Sequence, residues 1–179
     1  TDIFLQVKIN GDMALLQAIE KLLIEEDRLE PGSALDHEFI KNNTIGFEAL
    51  ATHLGQQTMD QLVDACGIDL NQIIETAQLL KQKNKIIVCW AMGLTQHKNA
   101  VDTIKEIVNL LLLKGSIGKE GAGTCPVRGH SNVQGDRTMG IYEKPSAGFL
   151  QSIKDNFHFD PPLHHGYDVV ESIKAMYER

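Results

Sequence analysis

Residues 3 to 9 alternate enough, with Ile3, Leu5, Val7 and Ile9 on one side, and are β-branched enough, through Ile3, Val7 and Ile9, to predict a strand. Asn10-Gly11-Asp12 follows as a turn, with Asp12 as the expected helix N-cap. Behind it Leu15, Leu16, Ile19, Leu22 and Leu23 recur at i, i+1, i+4, i+7 and i+8, one face of a 3.6-residue period. A strand that feeds a helix predicts the opening of an α/β unit. Glu25, Glu26, Asp27 and Glu30 read as the solvated end of that helix.

Pro31-Gly32-Ser33 breaks the pattern, and short helices are expected around Asp36 to Lys41, Gly46 to Leu54 and Met59 to Ala65. They make a helical excursion over 33–68. Asp69, with Gln72 three residues later, is a variant of the capping box and opens a helix carrying Leu70, Ile73, Ile74, Ala77, Leu79 and Leu80. Lys81, Lys83 and Lys85 suit its carboxyl end. Ile86-Ile87-Val88-Cys89-Trp90 is a continuous apolar run, the pattern of a parallel strand buried on both faces. A loop from Ala91 to Lys98 separates it from a helix over Asn99 to Lys114, with Gly115 as its C′ residue. From Gly115 to Gly148 glycines are frequent and hydrophobic periodicity is lost, which predicts a long ordered loop with a functional role. Beyond Pro145, helices are expected at Ala147 to Asn156 and Tyr167 to Tyr177.

With 179 residues, 42% of them hydrophobic, the chain can bury a sizeable core, and its net charge of -7 argues against a grip on phosphate backbones. Nucleic acid is therefore an unsuitable partner. The longest unbroken apolar run, Leu110 to Leu113, is far short of a membrane span. Cys66, Cys89 and Cys125 are odd in number and far apart, which disfavours a disulfide framework and a self-contained zinc or iron–sulfur site, and suits a reducing cytoplasm. The start at Thr1, already within a strand-like segment, reads as a cut end.

Two segments carry candidate chemistry. In doubly wound sheets ligands bind outside the carboxyl ends of strands, where Ala91-Met92-Gly93-Leu94-Thr95-Gln96-His97 is expected to sit. Gly93 permits close approach of a ligand, Thr95 and Gln96 offer hydrogen bonds and Met92 a soft apolar contact; a capped turn fits the same pattern. The second segment runs from Cys125 to Gly135. Arg128, between a proline and a glycine, presents a planar fork for a carboxylate or phosphate, and His130 can carry a proton; a solvated surface loop is the plainer alternative. Cys125 reads as a buried or loop thiol, and His158, Asp160, His164 and His165 as a polar loop, since their spacing fits no common metal site.

Taken together, Trp90 to His97, the helix through Leu113, Gly115-Ser116-Ile117-Gly118-Lys119, Gly121-Ala122-Gly123 and the run Val127 to Gly135 resemble the molybdopterin oxidoreductases of the formate dehydrogenase and dimethyl sulfoxide reductase type. A looser likeness extends upstream and covers nearly the whole chain to Gly140. The resemblance implies an α/β fold, a three-layer sandwich with a partly parallel sheet, as a fragment of the dinucleotide-binding-like domain of such an enzyme. It implies that residues 1–144 bind molybdopterin guanine dinucleotide and that 145–179 are a helical extension toward a further domain. The cofactor implied is bis(molybdopterin guanine dinucleotide) with molybdenum, contacted by Met92, Gly93, Thr95, Gln96 and Gly129. Arg128 would orient a small substrate anion, with His130 beside it, and no residue of the chain would ligate the metal. Formate dehydrogenases carry glutamine where this chain has His130, so formate enters by analogy. The implied partners are the substrate, the remaining domains of the same polypeptide and an electron-transfer partner, with a [4Fe-4S] cluster in an N-terminal part that has no counterpart among these residues. A non-catalytic α/β module that binds a nucleotide or a partner chain is the alternative.

Overall fold

The computed structural model describes residues 1–130 and 132–178; Ser131, within the Val127 to Gly135 run, and Arg179, at the end of the expected extension, lie outside the described residues. The chain divides into two units, the first Thr1–Arg128 and the second beginning at Gly129. Along the first run α1 (Asp12–Leu29), α2 (His37–Asn43), α3 (Phe47–Gln56), α4 (Met59–Cys66), α5 (Leu70–Lys81), β1 (Ile87–Trp90), α6 (Met92–Thr95), α7 (Ala100–Leu113) and β2 (Gly123–Pro126). The second contains α8 (Val133–Thr138), α9 (Ala147–Phe157) and α10 (Val169–Tyr177).

The expected period of α1 becomes a buried stripe, Ala14, Ala18, Ile19, Leu23 and Ile24, and α3, α4, α5 and α7 all pack on this helix. Helices α2, α3 and α4 have 7, 10 and 8 residues, below the roughly 12–15 that an isolated helix needs to be marginally stable. Tertiary burial holds them. Leu23, Leu54 and Ile73 are fully buried, each contributing about 1.5–3 kcal/mol relative to exposure. Local capping sets the boundaries: Asp36 accepts from the Phe39 N–H, and Thr58 and Gln61 form a reciprocal capping box. Asp69 caps α5 through the Asn71 N–H, not through the box expected with Gln72.

Three expectations for the first 30 residues are corrected. Residues 3 to 9 do alternate, with Leu5 and Val7 against the core and Phe4 exposed, yet they form no strand. No neighbouring strand takes up their backbone groups; the Lys8 N–H bonds instead to the Cys66 carbonyl at 2.8 Å. Asp12 is the first helical residue instead of the cap, which falls on Gly11. Asp27 is buried, not part of a solvated helix end: its Oδ1 accepts from the N–H groups of Gly32, Ala34 and Leu35, and its Oδ2 lies 2.5 Å from His37 Nε2.

The sheet has two parallel strands, with Ile87, Val88, Cys89 and Trp90 opposite Gly123, Thr124, Cys125 and Pro126. β2 lies in what reads from sequence as loop. Its pairing extends past both ends, from the Gly123 N–H to the Ile86 carbonyl (2.9 Å) and from the Val127 N–H to the Trp90 carbonyl (2.7 Å). β1 is covered on one face only. Val88 and Trp90 pack on Ile86, Ile107 and Leu111, whereas Ile87 and Cys89 are exposed, so the expected burial on both faces does not occur. Among the described residues the architecture is a mostly helical α/β arrangement with this small sheet, short of the layering of a three-layer sandwich. At the end of α7, the Gly115 N–H bonds the Leu112 carbonyl and the Ser116 N–H the Leu111 carbonyl, a Schellman motif in which Gly115 (φ 54°) takes the left-handed position.

In the second unit α9 and α10 lie close to their expected bounds, capped by Ser146 and by a box of Asp168 with Glu171. α8 is a further element within the expected loop, with Asn132 accepting from the Gly135 N–H.

α1 also buries polar groups against α7. Gln17 donates to Glu106 Oε1 at 2.5 Å and Asn109 to Glu106 Oε2 at 2.8 Å, while both carboxyl oxygens of the fully buried Glu20 lack a hydrogen-bond partner. Burial, and then the neighbouring Glu106, hold the Glu20 carboxyl well above the usual carboxylate range. Its folded state thus keeps a proton that the unfolded chain releases near its ordinary pKa. Stability from this group is full below that ordinary value and declines as pH rises toward the folded pKa. Glu20→Gln is accordingly expected to raise unfolding free energy at pH 8 by about 1–3 kcal/mol and to flatten its decline between pH 5 and 8; an unchanged pH profile by chemical denaturation would refute this. A Cβ on Gly11 would meet Cys66 Cα at 2.8 Å and the Ala65 carbonyl at 2.9 Å, both backbone. Gly11→Ala should therefore destabilise the chain by about 1–3 kcal/mol, read as a lower denaturation midpoint.

Candidate functional site

Trp90 and Pro126 are paired at the carboxyl end of the parallel strands. Two residues beyond Trp90 comes Met92, and two residues beyond Pro126 comes Arg128, so the two candidate segments leave neighbouring strands at one register. Carboxyl-terminal strand ends are where open α/β sheets place ligands.

The first segment, expected as a loop, forms the single turn α6. Leu94 anchors it by packing on the cluster of Ile86, Ile107 and Leu111. The turn exposes Met92, Gly93, Thr95 and Gln96. Gln96 Nε2 approaches Met92 Sδ at 3.7 Å, the i, i+4 neighbour. A Cβ on Gly93 would meet nothing within 4 Å, so the backbone is open to a ligand laid against it. Thr95 also begins a groove of about 460 Å³ along α7, continued by Ala100, Val101, Ile104 and Val108, which sequence reasoning did not anticipate. The apolar period of this helix predicts burial for Val101, which is instead exposed on the groove.

Arg128 closes the first unit and is exposed. It takes part in no ion pair among the described residues, unlike Arg137, which lies 3.0 Å from Glu143 and stacks over Tyr142. Gly129 and His130 open the second unit and are exposed as well; a Cβ on Gly129 would meet no atom within 4 Å. Cys125, expected to be buried or in a loop, is an exposed strand residue. Lys154 pairs with Asp160 at 2.5 Å, and among the described residues no three His, Cys, Asp or Glu side chains are grouped so as to hold a metal ion. No helix among the described residues is long and apolar enough to cross a membrane.

Two parallel strands that end in exposed segments, set among helices, define the class: a mostly helical α/β unit with a small parallel sheet. No family model matches the chain. It is 48% identical over 175 residues to an uncharacterized oxidoreductase of Mycobacterium tuberculosis, a match covering 98% of this chain and 22% of that protein. It is 36% identical over 157 residues to the F420-dependent formate dehydrogenase subunit alpha of Methanocaldococcus jannaschii, covering 88% of this chain and 22% of the subunit. Among solved structures, acetylene hydratase from Pelobacter acetylenicus shares the fold, with a TM-score of 0.61 and 24% identity over 68% of this chain and 16% of that one. The chain is homologous to part of the molybdopterin oxidoreductases, the formate dehydrogenase alpha subunit included, and spans about a fifth of the length of the relatives it matches.

Proposed function

We propose that this chain is one wall of the cofactor cleft of a molybdopterin-dependent oxidoreductase that oxidises formate or a similar small anion. The observation that supports this reading most is that the segments carrying Met92 and Arg128 both leave the carboxyl end of the parallel strands, whose last pair is Trp90 and Pro126. Met92, Gly93, Thr95 and Gln96 would hold the pterin nucleotide: the amide and hydroxyl supply hydrogen bonds, and the open backbone at Gly93 admits a flat ring. Gly129 would offer a second close backbone approach. Bound bis(molybdopterin guanine dinucleotide) with molybdenum supplies two-electron redox chemistry, and the protein supplies orientation and electrostatics.

Arg128 would bind the substrate carboxylate bidentately, which fixes both its charge and its plane. His130 would hold or release a proton. The uncovered face of β1, with Ile87 and Cys89, suits coverage by other parts of a longer polypeptide, which would complete a three-layer domain over residues 1–144 and leave 145–179 as an extension. The electron-transfer partner, an iron–sulfur cluster in another domain and a cytoplasmic location belong to the same proposal.

Titration of the chain with GDP, a stand-in for the guanosine end of the cofactor, tests the binding half. At about 100 times Kd, a ligand specific for the folded form adds about 2.7 kcal/mol and raises the thermal midpoint by several degrees. The shift should vanish in Gln96→Ala; a shift with NAD alone would count against the reading. For the catalytic half, Arg128→Lys in the enzyme assembled with its remaining domains should lower kcat/KM for formate by about 10- to 100-fold at unchanged molybdenum content. Full activity in that variant would remove Arg128 from the substrate.

A further inference from the structure

Cys89 stands opposite Cys125 in the parallel ladder. In-register residues on neighbouring strands project to the same face. Both thiols are exposed, on the side of β1 turned away from Val88, Trp90 and the cluster beneath them. Strands in a sheet lie about 4.8 Å apart, inside the Cα separation of about 4.4–6.8 Å that a disulfide spans without backbone movement. The neighbouring Cys125 thiol is the first cause that raises the Cys89 thiol above its ordinary pKa. Each cysteine lies three residues before a candidate site residue, Cys89 before Met92 and Cys125 before Arg128.

We propose that Cys89 and Cys125 form a redox-active dithiol that low-molecular-weight disulfides oxidise to a cross-strand disulfide, clamping the carboxyl end of the sheet beneath the Met92 and Arg128 segments. One thiolate attacks the small disulfide, breaking its S–S bond, forming a mixed disulfide and releasing one small thiol. The second cysteine then attacks the protein sulfur of that intermediate and releases the other small thiol. Two electrons and two protons pass to the oxidant, and one S–S bond replaces another. The bond stands apart from the cofactor reading; only its effect on the two segments rests on it. Cys66 is an internal control, since it is buried, donates to the Val63 carbonyl and accepts from the Ile68 N–H.

The test incubates the reduced chain with oxidised glutathione and reads thiol count, intact mass and tryptic peptides. The native reduced chain should show the two exposed thiols and the oxidised chain none, with Cys66 appearing only on denaturation. The monomer mass should fall by two hydrogens, and peptide 86–98 should be joined to peptide 120–128 until a phosphine reductant is added. The thermal midpoint should rise by about 5–15 °C, and Cys89→Ser or Cys125→Ser should abolish both the link and the rise. Two thiols persisting in excess oxidant, glutathione retained on both cysteines, a bond to Cys66 or a disulfide-linked dimer would each overturn the proposal. GDP binding, measured separately before and after oxidation, keeps failure of the clamp distinguishable from failure of the cofactor reading.

Discussion

A charge removed from water has to be matched by dipoles or counter-charges, and Asp27 and Lys114 meet that requirement through the same short stretch of backbone. Asp27 takes the N–H of Ala34, while the Lys114 ammonium donates to the Ala34 carbonyl at 2.9 Å and to the Lys81 carbonyl at 3.1 Å. Desolvation raises the Asp27 carboxyl, but the N–H groups of Ala34 and Leu35 together with His37 outweigh it and hold the group below its usual range. For Lys114, desolvation is the largest influence and pushes the ammonium down, with Asp27 and Asp36 acting against it. The ends of α1, α5 and α7 and the start of α2 therefore converge on residues 34–36, where the Asp36 N–H also bonds the Leu113 carbonyl.

This convergence decides where the candidate site can form. With the end of α7 held, the Schellman turn at Gly115 sends the chain back to pair β2 beside β1. Position 115 has little freedom of its own, because a side chain there would run into the Asp36 carboxyl. α7 and the sheet then share one apolar cluster, Ile86, Ile107 and Leu111, onto which Leu94 ties the turn that carries Met92 and Gln96. Site and core are thus coupled through α7. The buried acids on its other side are an opposing cost, since Glu20 and Glu106 occupy positions that an apolar pair could fill.

The relatives set this arrangement in a larger frame. The segment accounts for 22% of the Methanocaldococcus jannaschii formate dehydrogenase subunit, and the exposed edge and face of a two-stranded sheet are unusual for a free-standing domain. The exposed apolar residues Ile87, Val101 and Val127 lie in or next to the elements that carry the candidate residues.

The sequence by itself determined the longer helices and the family likeness. Those signals are local or collinear: the period of α1, Asp69 at the start of α5, Gly115 past α7, and the ordered run from Trp90 to Gly135 can all be read residue by residue. Tertiary structure alone decided what depends on contacts between distant residues. β2 exists because residues 123–126 find β1, while residues 3–9, with the stronger strand pattern, find no partner and form none. Asp27 is buried because backbone N–H groups downstream enclose it, although its neighbours in sequence are charged and its own composition signal reads as solvent. The pairing of Cys89 with Cys125, and the common strand end from which the Met92 and Arg128 segments leave, follow from strand register, a property of two segments together that neither segment carries alone.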